Sequence, residues 1–222
     1  MSAYPIVIEM AGRLAVVVGG GVVGRRKVDG LRAAGARVRL ISRDPLPPSC
    51  WTAGVELHLR PFHPEDLDGA VLAFAATGVA AVDQAVLAAA RARGILASLA
   101  AAPELGDFTL PATLRRGELL LAVATGGRAP ALAGVVRDRL GAEYGAPWAL
   151  VVEIAARLRR EKLTRGADDV YSSKVLADLL EHGLPALLAA GRYAEVDLLL
   201  SRVCGRGMTL EGLGLTVPDH PP

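Results

Sequence analysis

The sequence predicts an α/β fold: a parallel sheet with helices on its faces, then a short β-rich segment, then a helical end. Three observations carry this. Short apolar runs alternate with helix-period patterns through the first half of the chain. A glycine-rich turn, "VVVGGGVVGRRK" from Val16 to Lys27, closes the first such run and opens a helix. Past residue 110 the alternation stops; two extended segments follow each other, and after Pro130 the patterns are helical.

The elements follow in order. "RLAVVV" reads as a buried strand and Val22 to Ala34 as the helix after it. "ARVRLIS" is a second strand, with Val38, Leu40 and Ser42 on one face. "GVELHLR" and "AVLAFAAT" make a third and a fourth, a helix runs through "AAVDQAVLAAARARG", and "ILASL" is a fifth strand. "FTLPATLRRGELLLAVATGG" predicts two strands joined through "RRG" with no helix between them. Near Val151, Ile154, Ala155 and Leu158 recur at helical spacing, as do Val196, Leu199, Leu200 and Val203; both stripes read as core faces. The expected divisions are residues 1–110, 111–145 and 146–222, with "TVPDHPP" a frayed tail.

Composition narrows the function. Of 222 residues, 52% are hydrophobic but only 4% aromatic, so the core is built from Ala, Val and Leu. A formal charge of +2 with few aromatics argues against a nucleic-acid binder. Cys50 and Cys204 are far apart and form no metal-ligand spacing, so neither a disulfide framework nor a zinc site is expected. His58, His63, His182 and His220 make no paired motif, and "HLRPFHPEDL" reads as a strand and a surface turn rather than a metal cluster with Glu65 and Asp66. "MSAYPIVIEMAGR" lacks a basic leader and contains Glu9, so it does not read as a signal peptide. The Ala-rich run after residue 71, cut by Asp83, Arg91 and Arg93, is too short to span a bilayer. No metal and no membrane are expected, and the cytoplasm is the expected compartment.

Gly19, Gly21 and Gly24 fit G-x-G-x-x-G, with Gly20 between the first two. The first glycine permits a tight turn, the second lets backbone approach a pyrophosphate, and the third lets the helix pack on its strand. The helix N-terminus then offers free N–H groups to the phosphates. Placed after the first strand of a βαβ pattern, this predicts a Rossmann-type dinucleotide site. Asp44, twenty positions after Gly24, suits the ribose hydroxyls of NAD, whereas Ser42 and Arg43 beside it would suit a 2′-phosphate; NAD stands ahead. Thr77, ending the fourth strand, belongs either to the same cofactor edge or to the cap of the next helix.

Taken with "RPFHPEDLDGAVLAFAAT" and "DFTLPATLRRGELLLAVATGGRAPALA", the glycine turn and the Arg-Lys pair after it make the chain resemble the precorrin-2 dehydrogenases, including the N-terminal part of sirohaem synthase. The resemblance covers nearly the whole length. It implies an NAD-dependent oxidation of precorrin-2 to sirohydrochlorin, with iron insertion in some members. It also implies a homodimer whose 111–145 segment serves dimerisation and whose helical tail helps enclose the tetrapyrrole. Val22 and Val23 fall where family members touch the cofactor through backbone, and Arg43 and Asp44 match the second cofactor stretch. Thr125, Gly126, Gly127 and Arg128, with Arg115 and Arg116 before them, then gain a role toward the carboxylates of a tetrapyrrole.

One position departs from the family. Where its pattern reads roughly N-V-x-D-x-P, this chain has "SLAAAP": Ser98 stands for the asparagine, a substrate-facing place, and Ala101 for the aspartate implicated in the chemistry. Asp107 is the expected substitute base, with Glu104 beside it; the competing role for Asp107 is to cap or salt-bridge the turn before "FTLPA". Three readings stand, in order: a dehydrogenase resting on binding and hydride geometry, a binding module without turnover, and an unrelated nucleotide-sensing domain with a dimerising tail. Strong ferrochelatase activity is not expected.

Overall fold

The computed structural model describes residues 3–44, 54–165 and 170–216. Cys50, His220 and the tail beyond Thr216 lie outside the described residues. The chain divides into two compact units, Met1–Leu110 with Gly126–Arg128, and Pro111–Thr125 with Ala129–Pro222.

In the first unit, β1 (Leu14–Val18) is buried at all five positions, as a strand covered on both faces must be. Its side chains alternate between two cores: Leu14, Val16 and Val18 face one, Ala15 and Val17 the other. The helix α1 (Val22–Ala33) buries Gly24, Val28 and Leu31, one stripe along its length. Then come β2 (Arg37–Ser42), β3 (Val55–Leu59), β4 (Ala70–Ala75), the helix α2 (Ala80–Arg91) and β5 (Leu96–Leu99). All the pairings are parallel and the strand order is β3-β2-β1-β4-β5. The register sets Ile41, Val18, Ala75 and Leu99 level, so the chain leaves four neighbouring strands at one carboxyl edge.

Each face has its own helix. Val86, Leu87 and Ala90 of α2 cover the face that holds Val16 and Ala73. Val28 and Leu31 of α1 cover the other, with Val38, Leu40 and Phe74. Phe108 meets Phe74 edge-on, ring centroids 5.4 Å apart, so the chain after β5 returns across that face.

The segment between β3 and β4 is a short turn, as expected, but two of its residues, Asp66 and Leu67, are not at the surface. Asp66 is 5% exposed. It accepts from Arg60 Nη1 at 2.9 Å and from the His63 backbone N–H at 2.8 Å. Burial pushes this carboxyl up, but the Arg60 guanidinium and the His63 N–H outweigh it and hold the group below the usual range. His58 bonds Glu56 at 2.7 Å. Among the described residues no three His, Cys, Asp or Glu side chains gather to hold a metal ion.

The second unit begins with a hairpin, β6 (Ala112–Arg116) and β7 (Leu119–Val123), antiparallel and turned at Gly117 with φ +55°. Five helices follow among the described residues: α3 (Pro130–Glu143), α4 (Trp148–Arg165), α5 (Ser173–Glu181), α6 (Leu184–Ala189) and α7 (Tyr193–Cys204). Pro130 starts α3 where its missing N–H costs nothing, and the Ser172 hydroxyl caps α5 by accepting from Val175 N at 3.2 Å. Ile154 and Leu158 of α4 are buried with Leu179, Leu184, Val196 and Leu200 in one core. Both predicted stripes face it except at Ala155, which is half-buried; Val203 packs against it from the margin. Cys204 is buried there too, which pushes its thiol up to about 11. No described helix is long and apolar enough to cross a membrane.

Candidate functional site

The strand order reverses between β1 and β4, since β2 and β3 lie on one side and β5 on the other. A doubly wound sheet opens a crevice at the carboxyl ends of such a pair. Gly19 sits in it with φ +114°, donating its N–H to Ile41 O at 2.8 Å. A Cβ on Gly19 would lie 2.3 Å from Ala76 O, and one on Gly24 would lie 1.9 Å from Gly19 O. The protein's own backbone therefore requires glycine at both places. Gly21 is different. Its φ of −70° and ψ of −178° suit any residue, and a Cβ there would meet nothing within 4 Å. Nothing in the protein needs glycine at that position; a backbone that must approach a pyrophosphate does.

The surroundings agree. Gly20 is half-buried, whereas Val22 and Val23, at the start of α1, are 78% and 37% exposed. The first-turn N–H groups of a helix have no carbonyl to reach, and no acidic side chain in the first turn of α1 opposes its positive end. The cradle fits the phosphates of a dinucleotide.

At the end of β2, Ser42 is buried and its hydroxyl donates to Asp44 O at 2.9 Å, shaping the turn rather than facing a ligand. Arg43 and Asp44 are exposed and pair with each other at 3.4 Å, side by side at the carboxyl edge. Thr77 lies just past β4, where the Ala76–Thr77 peptide packs against Gly19. Its hydroxyl accepts from Val79 N at 3.1 Å, so it holds the turn before α2 and borders the crevice as well.

The residues proposed for chemistry separate. Ala101 follows the carboxyl end of β5, exposed, beyond Ala100, whose N–H bonds Ala75 O at 2.9 Å. Glu104 is exposed in the single helical turn Pro103–Leu105 after it. Asp107 lies further back along the strand. One of its oxygens takes the Nε and Nη2 of Arg91 at 3.0 and 2.9 Å, and the other takes Ala97 N at 2.9 Å. Arg91 ends α2, toward the amino edge of the sheet. Burial pushes the Asp107 carboxyl up, but the Ala97 N–H and Arg91 outweigh it and hold it low. This is the turn-bridging role weighed against the base, and a carboxylate so held is a poor proton acceptor. Ser98 is 7% exposed, with Gly106 crossing close to its Cα, so its side chain belongs to the sheet interior.

The second glycine cluster is also redrawn. Thr125 Oγ1 accepts from Ala129 N at 3.2 Å and so serves the start of α3. Gly126 and Gly127, at φ +62° and +76°, and Arg128 are exposed, and Cβ atoms on the two glycines would meet nothing within 4 Å. Arg116 does not join them. It stands at the turn end of the hairpin, where Nε reaches Tyr144 O at 3.0 Å and binds the last carbonyls of α3. Arg115, beside it, is exposed.

Fold and glycine geometry together define a Rossmann-type dinucleotide-binding protein. A family model described as "Putative NAD(P)-binding" matches residues 6–112. The sirohaem synthase of Methylobacillus flagellatus is 40% identical over 211 residues, covering 91% of this chain and 45% of that protein. Sirohaem synthase 1 of Halorhodospira halophila is 34% identical, covering 91% and 43%. Over about nine-tenths of its length the chain is similar to one part of these sirohaem synthases. It spans a little under half the length of these curated relatives. A solved structure, "SirC, precorrin-2 dehydrogenase", shares the fold with a TM-score of 0.67 at 22% identity, covering 90% of this chain and 98% of that one.

Proposed function

We propose that the chain oxidises precorrin-2 to sirohydrochlorin with NAD as acceptor, in the cytoplasm. The observation that carries this is Gly21, a glycine with no partner in the protein that demands it, in the crevice where the strand order reverses. The bound nicotinamide supplies the hydride-accepting chemistry. The Gly19–Gly24 turn holds the pyrophosphate, with the N–H groups of Val22 and Val23, and Asp44 accepts the adenosine ribose hydroxyls. Thr125 to Arg128 serve the substrate, Arg128 by charge-assisted bonds to its carboxylates. Most of the rate comes from holding donor and acceptor in register.

Proton removal is the weak step in this reading. Ala101 offers no acceptor, and Asp107 is held by Arg91. Glu104, exposed in the turn after Ala101, is the carboxylate better placed to assist. A second reading, a nucleotide- and tetrapyrrole-binding module without turnover, is favoured by the alanine at 101. An anaerobic assay with precorrin-2 and NAD, following the sirohydrochlorin spectrum, separates the two. Turnover supports the dehydrogenase, and tight binding without turnover supports the module. Iron insertion is expected to be weak for the same lack of a carboxylate. We also propose a homodimer built on residues after Leu110, with the exposed Leu132, Val135 and Val136 of α3 among those it covers. A monomer in sedimentation at micromolar concentration would count against it.

A further inference from the structure

We infer that Asp83 is a positioning residue for the dinucleotide: it fixes the turn after β4 as the second wall of the crevice and makes the Thr77 hydroxyl an acceptor toward the nicotinamide half. The inference rests on the dinucleotide reading of the Gly19 turn.

Asp83 lies in the first turn of α2 and is 2% exposed. Its Oδ1 takes two bonds from Thr77, the backbone N–H at 3.1 Å and the hydroxyl at 2.7 Å. Its Oδ2 is buried without a hydrogen-bond partner. A bare carboxylate oxygen in a core is costly, and a small apolar residue would avoid that cost. What the carboxylate secures is the Ala76–Thr77 peptide, the same peptide against which Gly19 is packed. The two walls of the crevice therefore meet at one point, and Asp83 stands behind it.

The hydroxyl's polarity follows. Thr77 has one hydroxyl proton, and the short contact to Asp83 takes it. One lone pair accepts from Val79 N at 3.1 Å. A second lone pair is left, and a hydroxyl so arranged accepts from a donor. In a doubly wound sheet the adenosine diphosphate half lies over β1 and β2, and the other mononucleotide half over β4 and β5. The donor that Thr77 meets is then a ribose hydroxyl or the carboxamide of the nicotinamide half.

Calorimetry with two ligands tests this, because ADP stops at the glycine turn whereas NAD reaches β4. Asp83→Ala should weaken NAD about tenfold, the loss of one charge-assisted contact and its geometry, and leave ADP within about twofold. Thr77→Val should do the same, and Asp83→Asn, whose amide oxygen can take both Thr77 bonds, should keep NAD within about threefold of the unmodified chain. A merely structural role would move both ligands together. Equal weakening of NAD and ADP, unchanged NAD binding in Asp83→Ala, or an Asp83→Asn as weak as Asp83→Ala would each overturn the inference. If Asp83→Ala does not fold, Thr77→Val decides: unchanged NAD affinity there overturns it. An unmodified chain that binds neither ligand overturns the dinucleotide reading itself, and this inference with it.

Discussion

The two edges of the parallel sheet are built by opposite rules. At the amino edge, charges close on each other: Arg91 pairs with Asp107 at 2.9 Å, and Arg93 with Asp68 at 3.1 Å. At the carboxyl edge Arg43 and Asp44 also pair, both of them exposed, but the glycine turn is left open. Gly21 faces empty space, Val22 is exposed, and the first turn of α1 carries no acidic side chain. A paired edge ties the chain together and has little left to offer a ligand. An open edge adds little to stability and keeps its donors for something outside the protein.

The largest test of that contrast is Gly24→Ala. Its methyl would enter the space of Gly19 O, and we expect a loss of about 3 kcal/mol, read by urea unfolding. A stable variant would mean that the turn can yield and that its glycines are not set by packing. Gly21→Ala makes the opposite prediction at the same turn. Stability should hold, while NAD binding falls at least about tenfold, because the methyl enters the pyrophosphate's place. Unchanged affinity in calorimetry would show that the open edge is not where the cofactor sits.

Asp107→Asn probes the paired edge. It should cost about 1 kcal/mol, from weakened bonds to Arg91, and leave NAD affinity and any turnover unchanged. A large loss of turnover with NAD binding intact would restore Asp107 as the base. The pH dependence has a definite sign. Asp107 and Asp66 are both held below their unfolded value of about 3.9, so their stabilisation is full above that pH and fades as pH falls through the lower folded values. Unfolding midpoints should therefore drop below about pH 4, less steeply in Asp107→Asn. The smallest effect concerns cofactor choice. NAD should bind better than NADP, and Asp44→Ala should narrow that preference by roughly fivefold, since Asp44 is exposed and shares its charge with Arg43. A chain that prefers NADP would give the discrimination to Arg43.

The fold was legible because its signals are local. A five-residue apolar run, a glycine turn and an i, i+3, i+4 stripe each name their element without help from the rest of the chain. The glycine turn at the carboxyl edge was legible for the same reason, since Gly19, Gly21 and Gly24 lie within six residues of each other. What stayed hidden depends on partners distant in sequence. Nothing near Asp107 announces Arg91, and nothing near Arg116 announces that it would reach Tyr144. Ser98 was expected to face substrate only because it stands for the family's asparagine; the return of the chain at Gly106 covers it. Asp83 offered no motif at all. Its role emerges only from the bonds to Thr77 and from Gly19 resting on the same peptide.

The buried thiol of Cys204 gives the helical unit a clock. With the thiol pushed up to about 11, only about one molecule in ten thousand carries a thiolate at pH 7, and that one is walled in by Leu200 and its neighbours. Alkylation then waits for the end of α7 to swing away from its core, so the labelling rate counts openings of this unit alone. In a Cys50→Ser background, comparing that rate with and without a tetrapyrrole would show whether the helices breathe less once something lies against them.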